Sequence, residues 1–154
     1  MVVGPSSVCP GENLRCTGVL MAFDWSEFLD VARSLAGEQV DEPSEEAKSR
    51  AATSRAYYAA FCSARNHLKN IDDVKVPATN AHQIVREKYK NASYDGERVK
   101  IGNQLNQLGT YRNHADYHDQ YDDSGGWLRE RAQSLKLSAR ILASLQNLGS
   151  PERS

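Results

Sequence analysis

The chain has 154 residues, 40% hydrophobic and 25% charged, with a formal net charge of −1. Near-neutrality speaks against a dedicated duplex-binding module, which carries a strongly basic face. No apolar run reaches the roughly 18 to 20 residues that span a bilayer, the N-terminus lacks a signal-peptide layout, and three cysteines without metal-ligand spacing do not make a disulfide framework. A cytoplasmic protein with one domain and a modest core is therefore expected.

Residues 1–21 contain Gly4, Pro5, Pro10, Gly11 and Gly18 and no hydrophobic period. They read as a disordered lead, with Met21 as an alternative start. The folded part is expected over residues 22–149, followed by a disordered tail at 150–154.

Helix one follows at once. Asp24 is its N-cap and Glu27 the capping-box partner, Phe23 and Phe28 form a hydrophobic staple, and Gly37 is the stop. Trp25, Phe28, Leu29, Ala32 and Ala36 share its apolar face. After an acidic turn, a long alanine-rich helix is expected from Ser44 to Lys69. Its inward stripe is Ala47, Ala51, Ser54, Tyr58, Phe61 and Arg65, which puts an arginine at a core position. Lys48, Arg50 and Arg55 read as its solvated face.

A short helix is expected from Thr79 to Tyr89, capped by Thr79 and presenting His82, Val85 and Tyr89. The next helix runs from Glu97 to Tyr117, with Gly102 and Gly109 on a flank that another backbone can approach. The last helix spans Trp127 to Leu148, with Ser124 as its cap and Gly149 as its stop. It carries two apolar stripes: Leu128, Ala132, Leu135, Ala139 and Leu142, and Trp127, Ile141, Leu145 and Leu148. One stripe faces the core, and the other covers helix one or a second copy. The pattern predicts an all-α antiparallel bundle of four main helices plus one short helix.

The chemistry concentrates in Tyr111 to Asp119, where one arginine, two histidines, two aspartates and two tyrosines fall within nine residues. At about 100° per residue, Ile101, Leu105 and Leu108 form a stripe that Arg112 and Ala115 continue. A buried arginine needs a counter-charge, and Asp116 stands one turn on. His114 and His118 project roughly 120° from the stripe centre, away from the core. Their H-x-x-x-H spacing admits a remote reading as a helical-bundle metalloprotein, with His67 or His82 as a third ligand. Against it, Ala115 stands where zinc hydrolases place a glutamate, and the chain has no Glu-x-x-His. No metal or cofactor is expected.

Two stretches carry a family resemblance: Ser54-Arg55-Ala56-Tyr57-Tyr58-Ala59-Ala60-Phe61 followed by Arg65, and Arg112-Asn113-His114-Ala115-Asp116-Tyr117. Together they resemble the HEPN superfamily, in its small stand-alone prokaryotic branch with S-R-A-Y-Y-A-x-F and R-x-x-A-D-Y motifs. The similarity spans Phe23 to Leu148. It implies a helical bundle that forms a homodimer, and many family members are metal-independent ribonucleases with R-x(4–6)-H. Here Arg112, Asn113 and His118 fit that motif, although relatives ending in R-x-x-A-D-Y often lack the histidine.

The implied roles suit metal-free RNA cleavage, in which a 2′-hydroxyl attacks the adjacent phosphate. His118 is the general acid or base, Arg112 the phosphate clamp and Asn113 an orienting partner. Tyr58, Arg65, His114, Asp116 and Tyr117 are expected to bind substrate or support the site. The resemblance also implies a toxin or defence role, with a nucleotidyltransferase-type antitoxin as partner. In related toxins the modified tyrosine lies two residues after the histidine, whereas Tyr121 lies three after His118. The second reading is a non-catalytic HEPN module that binds a nucleotide or partner protein, in which Arg112, Asp116 and Arg65 only hold the fold.

Overall fold

The computed structural model describes residues 22–123 and 125–150. The lead at 1–21, the Ser124 cap and the tail from 151 onward lie outside the described residues. Five helices and no strand occur among the described residues: α1 (Glu27–Leu35), α2 (Glu45–Asn70), α3 (Ala81–Lys90), α4 (Gly96–Tyr117) and α5 (Gly126–Gly149). The fold is all-α. Its division is three long helices, α2, α4 and α5, with two short ones, because α1 has only 9 residues. No helix of these is long and apolar enough to cross a membrane.

α2 packs against both α4 and α5, which also touch each other, and α3 lies mainly on α4. The main core joins Tyr57, Phe61 and Leu68 of α2, Val85 and Tyr89 of α3, Ile101, Leu105 and Leu108 of α4, and Leu137, Ile141 and Leu145 of α5. Small residues let α2 and α5 approach closely: Ser49, Thr53, Ala56 and Ala60 on one helix are buried with Ser134 and Ser138 on the other. The Ser138 hydroxyl donates to the Ala56 carbonyl at 2.8 Å. α3 reaches α4 through Gly102, where an added Cβ would lie 2.6 Å from the backbone nitrogen of Lys90.

Several local expectations change. The staple at helix one forms, with the Phe23 and Phe28 rings 5.3 Å apart. The capping box does not, because Glu27 instead accepts from the backbone N–H of Ser44 and so ties α1 to the start of α2. On α1, Val31 is buried while Leu29 is 54% exposed. Ser44 caps α2 as expected, accepting from Ala47 N–H. α3 starts after Asn80, which takes a left-handed conformation (φ +57°), so Thr79 does not cap it. On α5 the stripe from Leu128 to Leu142 faces outward, with Leu135 52% exposed, and α1 does not touch α5 at all.

Candidate functional site

The site is the C-terminal end of α4. Tyr117 is its last helical residue and His118 is extended (φ −89°, ψ 122°). A helix end leaves its last carbonyls without intrahelical partners. Arg50 supplies them: its Nη1 donates to the carbonyl oxygens of His114, Ala115 and His118 at 3.3, 3.1 and 2.8 Å. Its Nε donates to Glu46 at 2.8 Å. The guanidinium is fully buried, 4.4 Å from the Phe23 ring centre, 4.8 Å from that of Tyr121 and 5.2 Å from that of Trp25. A cation here also complements the negative end of the helix dipole.

The N-terminal strap completes this arrangement. Phe23 N–H donates to the Asp119 carbonyl and Trp25 Nε1–H to the Asp119 carboxylate, both at 2.8 Å. Arg50 is the residue that sequence reasoning misplaced on a solvated face. Its signal was positional: it sits three residues after Ala47 and four before Ser54, inside the inward stripe.

On the side of α4 that faces α2, Arg112 is largely enclosed. Its Nε lies 3.0 Å from the Asp116 carboxylate, its Nη2 donates to the Tyr58 hydroxyl at 2.6 Å, and its Nη1 donates to the Asn113 side-chain oxygen at 3.0 Å. Ser54 donates to the same Asp116 carboxylate at 3.1 Å. Rings of Tyr57, Tyr58 and Tyr117 lie within 5.6 Å of the guanidinium carbon. Burial opposes the charge on Arg112, but Tyr58, Tyr117 and Asp116 outweigh it and hold its pKa above the ordinary value. This group borders a groove of about 460 Å³ walled by Phe28, Val31 and Leu35 of α1 and by Arg55.

His114 and His118 lie on the other side, toward α5. Their ring centres are 4.7 Å apart, and His114 Nδ1 is 2.6 Å from the Glu130 carboxylate. They line a separate depression of about 660 Å³ together with Tyr121, Asp122, Asp123 and Arg129. Arg129 is held by Asp123 at 2.5 Å. Tyr121 is pushed well above the ordinary phenol pKa, first by burial and then by the Glu130 charge.

The expected site residues therefore fall into two groups. Arg112, Asn113, Tyr58, Asp116 and Tyr117 come together, and so do His114 and His118, but the two groups line different depressions. Arg65 joins neither. It is half-buried, bonds only the neighbouring Asn66 side chain and lies over Phe61, so it is not the core cation expected. The suggested third metal ligands are elsewhere as well: His67 faces Asp72, and His82 stacks on Phe61 at 4.0 Å. Among the described residues no three His, Cys, Asp or Glu side chains gather to hold a metal ion. Comparison with protein-family models, with curated proteins and with solved structures gave no match.

Proposed function

We propose that the chain is a metal-independent RNA endonuclease of HEPN type that works as a homodimer in a toxin or defence role. One observation supports this most. Ser54 and Tyr58 of the first motif both bond the Arg112–Asp116 pair of the second, so the two stretches that carry the resemblance form a single network. The stop of α4 at Tyr117 also frees His118 from helical geometry and leaves it exposed beside a depression.

In this reading Arg112 steadies the phosphate as negative charge develops, and a histidine moves the proton of the attacking 2′-hydroxyl. Arg112 and His118 line opposite sides of the α4 end, so a second copy is needed to bring an arginine and a histidine to one phosphate. The outward stripe of α5 is the surface assigned to that copy. Ala132 belongs both to the stripe and to the lining of the histidine depression, so a copy seated there borders it. The Tyr121 hydroxyl is buried, which leaves Tyr117, 67% exposed, as the nearby tyrosine open to a nucleotidyltransferase-type antitoxin.

Purified protein incubated with RNA in the presence of chelator tests the reading, alongside His118→Ala, Arg112→Ala and a solution mass. Dimeric wild type cleaves and both variants lose activity. Equal cleavage by all three rejects the assignment. The second reading, a non-catalytic module that binds a nucleotide or partner protein, is favoured by the engagement of Arg112 with Asp116, Asn113 and Tyr58. It predicts no cleavage by the wild type.

A further inference from the structure

We propose that His114 and His118 act together as the proton-transfer pair of this site, with Glu130 as the residue that positions His114. The proposal rests on the ribonuclease reading above and adds two residues that the family motif does not require.

The geometry carries it. Cleavage by 2′-hydroxyl attack needs two proton movements: one leaves the attacking oxygen, and one arrives at the 5′-oxygen that departs. The O2′–P bond forms as the P–O5′ bond breaks, giving a 2′,3′-cyclic phosphate and a 5′-hydroxyl with no net proton change. A single histidine must do both jobs in turn, whereas two imidazoles in one depression divide them. The rings of His114 and His118 are 4.7 Å apart and open to a shared depression.

Glu130 assigns the roles. Facing a carboxylate at 2.6 Å, His114 Nδ1 carries the proton and Nε2 is left as the lone pair, so the ring is set as a base. The side chain of Glu130 is only 16% exposed. Burial and then the Glu130 charge keep the neighbouring Tyr121 phenol protonated. His118, which is exposed, then delivers the proton to the leaving oxygen. The charged and titratable groups that line the depression with the pair are Tyr111 from α4, Glu130 and Arg129 from α5, and Tyr121, Asp122 and Asp123 from the connecting loop.

The test measures cleavage of an RNA oligomer in chelator across pH for wild type, His114→Gln, His118→Gln, Glu130→Gln and Glu130→Asp, with thermal melts to verify folding. Each histidine variant is expected to lose about a hundred-fold or more in kcat. Glu130→Gln should lower kcat by about ten-fold with KM unchanged and move one limb of the pH profile, and Glu130→Asp should restore part of the loss. In parallel, nitrogen-15 spectra of the histidine rings should show the Nδ1–H form for His114 in wild type and lose it in Glu130→Gln. Wild-type kcat in folded His114→Gln overturns the pairing while an inactive His118→Gln leaves the ribonuclease reading intact. An unchanged pH profile in Glu130→Gln removes Glu130 from the proposal. No cleavage by the wild type ends both the histidine pairing and the ribonuclease reading.

Discussion

Arg50 Nη1 donates to the carbonyl oxygen of His118 at 2.8 Å, across 68 residues of chain. This one guanidinium bonds the His114 and Ala115 carbonyls in the last turn of α4 and the His118 carbonyl just past it, so the geometry of the turn that carries His118 depends on a residue of α2. Removing it leaves the Ala115 and His118 carbonyls and Glu46 without this partner, while the His114 carbonyl keeps only the His118 amide, and it empties the space beneath three aromatic rings. Arg50→Ala is expected to lose about 3–5 kcal/mol in denaturant unfolding, the range for breaking a buried charged network. Arg50→Lys keeps the charge but not the fork and should lose less.

The two faces of the α4 end make a prediction about additivity. Asp116 bonds toward α2 and Glu130 bonds His114 from α5, with no shared partner. The stability changes of Asp116→Ala and Glu130→Gln should add to within about 0.3–0.5 kcal/mol. Cleavage should behave otherwise. If Arg112 and His118 act on one phosphate across a dimer, the losses of Arg112→Ala and His118→Ala in kcat should fall well short of multiplying.

Two glycines of α4 should respond in opposite directions. A methyl at Gly102 meets the Lys90 backbone at 2.6 Å, whereas a methyl at Gly96 meets nothing within 4 Å. Gly102→Ala should cost about 1–3 kcal/mol by forcing α3 away. Gly96→Ala, in the first turn of the helix, should gain about 0.4–1 kcal/mol through the unfolded chain. Chemical denaturation of both variants measures the contrast.

Acid should destabilise the fold through two histidines. Burial, then Arg112, Arg86 and Arg65, lowers the His82 pKa from its ordinary 6.5, and burial lowers that of His67 against the pull of Asp72. The folded state prefers both rings neutral, so the unfolded chain binds protons first as pH falls. Their stabilisation is complete above 6.5 and is lost as pH drops through the lowered folded values. Tm should decline as pH falls below about 6.5, and His82→Gln should flatten that decline.

Much of the fold was legible because long helices advertise their period. The spans of α2 and α4 and the core trio Ile101, Leu105 and Leu108 follow from spacing, and all three leucine and isoleucine side chains are fully buried. Reading by large apolar residues failed where packing is made by small ones. The Ser49, Thr53 and Ala56 side of α2 is the one α5 presses against, and it carries Arg50 into the interior. Arg65 went wrong for the converse reason: it sits one turn beyond Phe61, where α2 is no longer covered on that side. The union of Arg112 with Asp116 was readable from i, i+4 spacing. The contacts of Tyr58, Ser54 and Glu130 with this end of α4 join separate helices, and no local pattern encodes them.

α1 touches no helix but α2, and its own cluster is small: Phe23, Val31 and Ala47 with Trp25, Phe28 and Ala51 around them. Elements with so little buried surface open first. Here the lid and the keystone are linked, since Phe23 and Trp25 cover Arg50 while the Phe23 amide is fastened to Asp119. Hydrogen exchange should find the Phe23 amide and the first amides of α1 exchanging together, ahead of the α2–α5 seam. Each such opening uncovers Arg50 and loosens the last turn of α4, so the resting order of the histidines is set by how tightly a nine-residue helix stays closed.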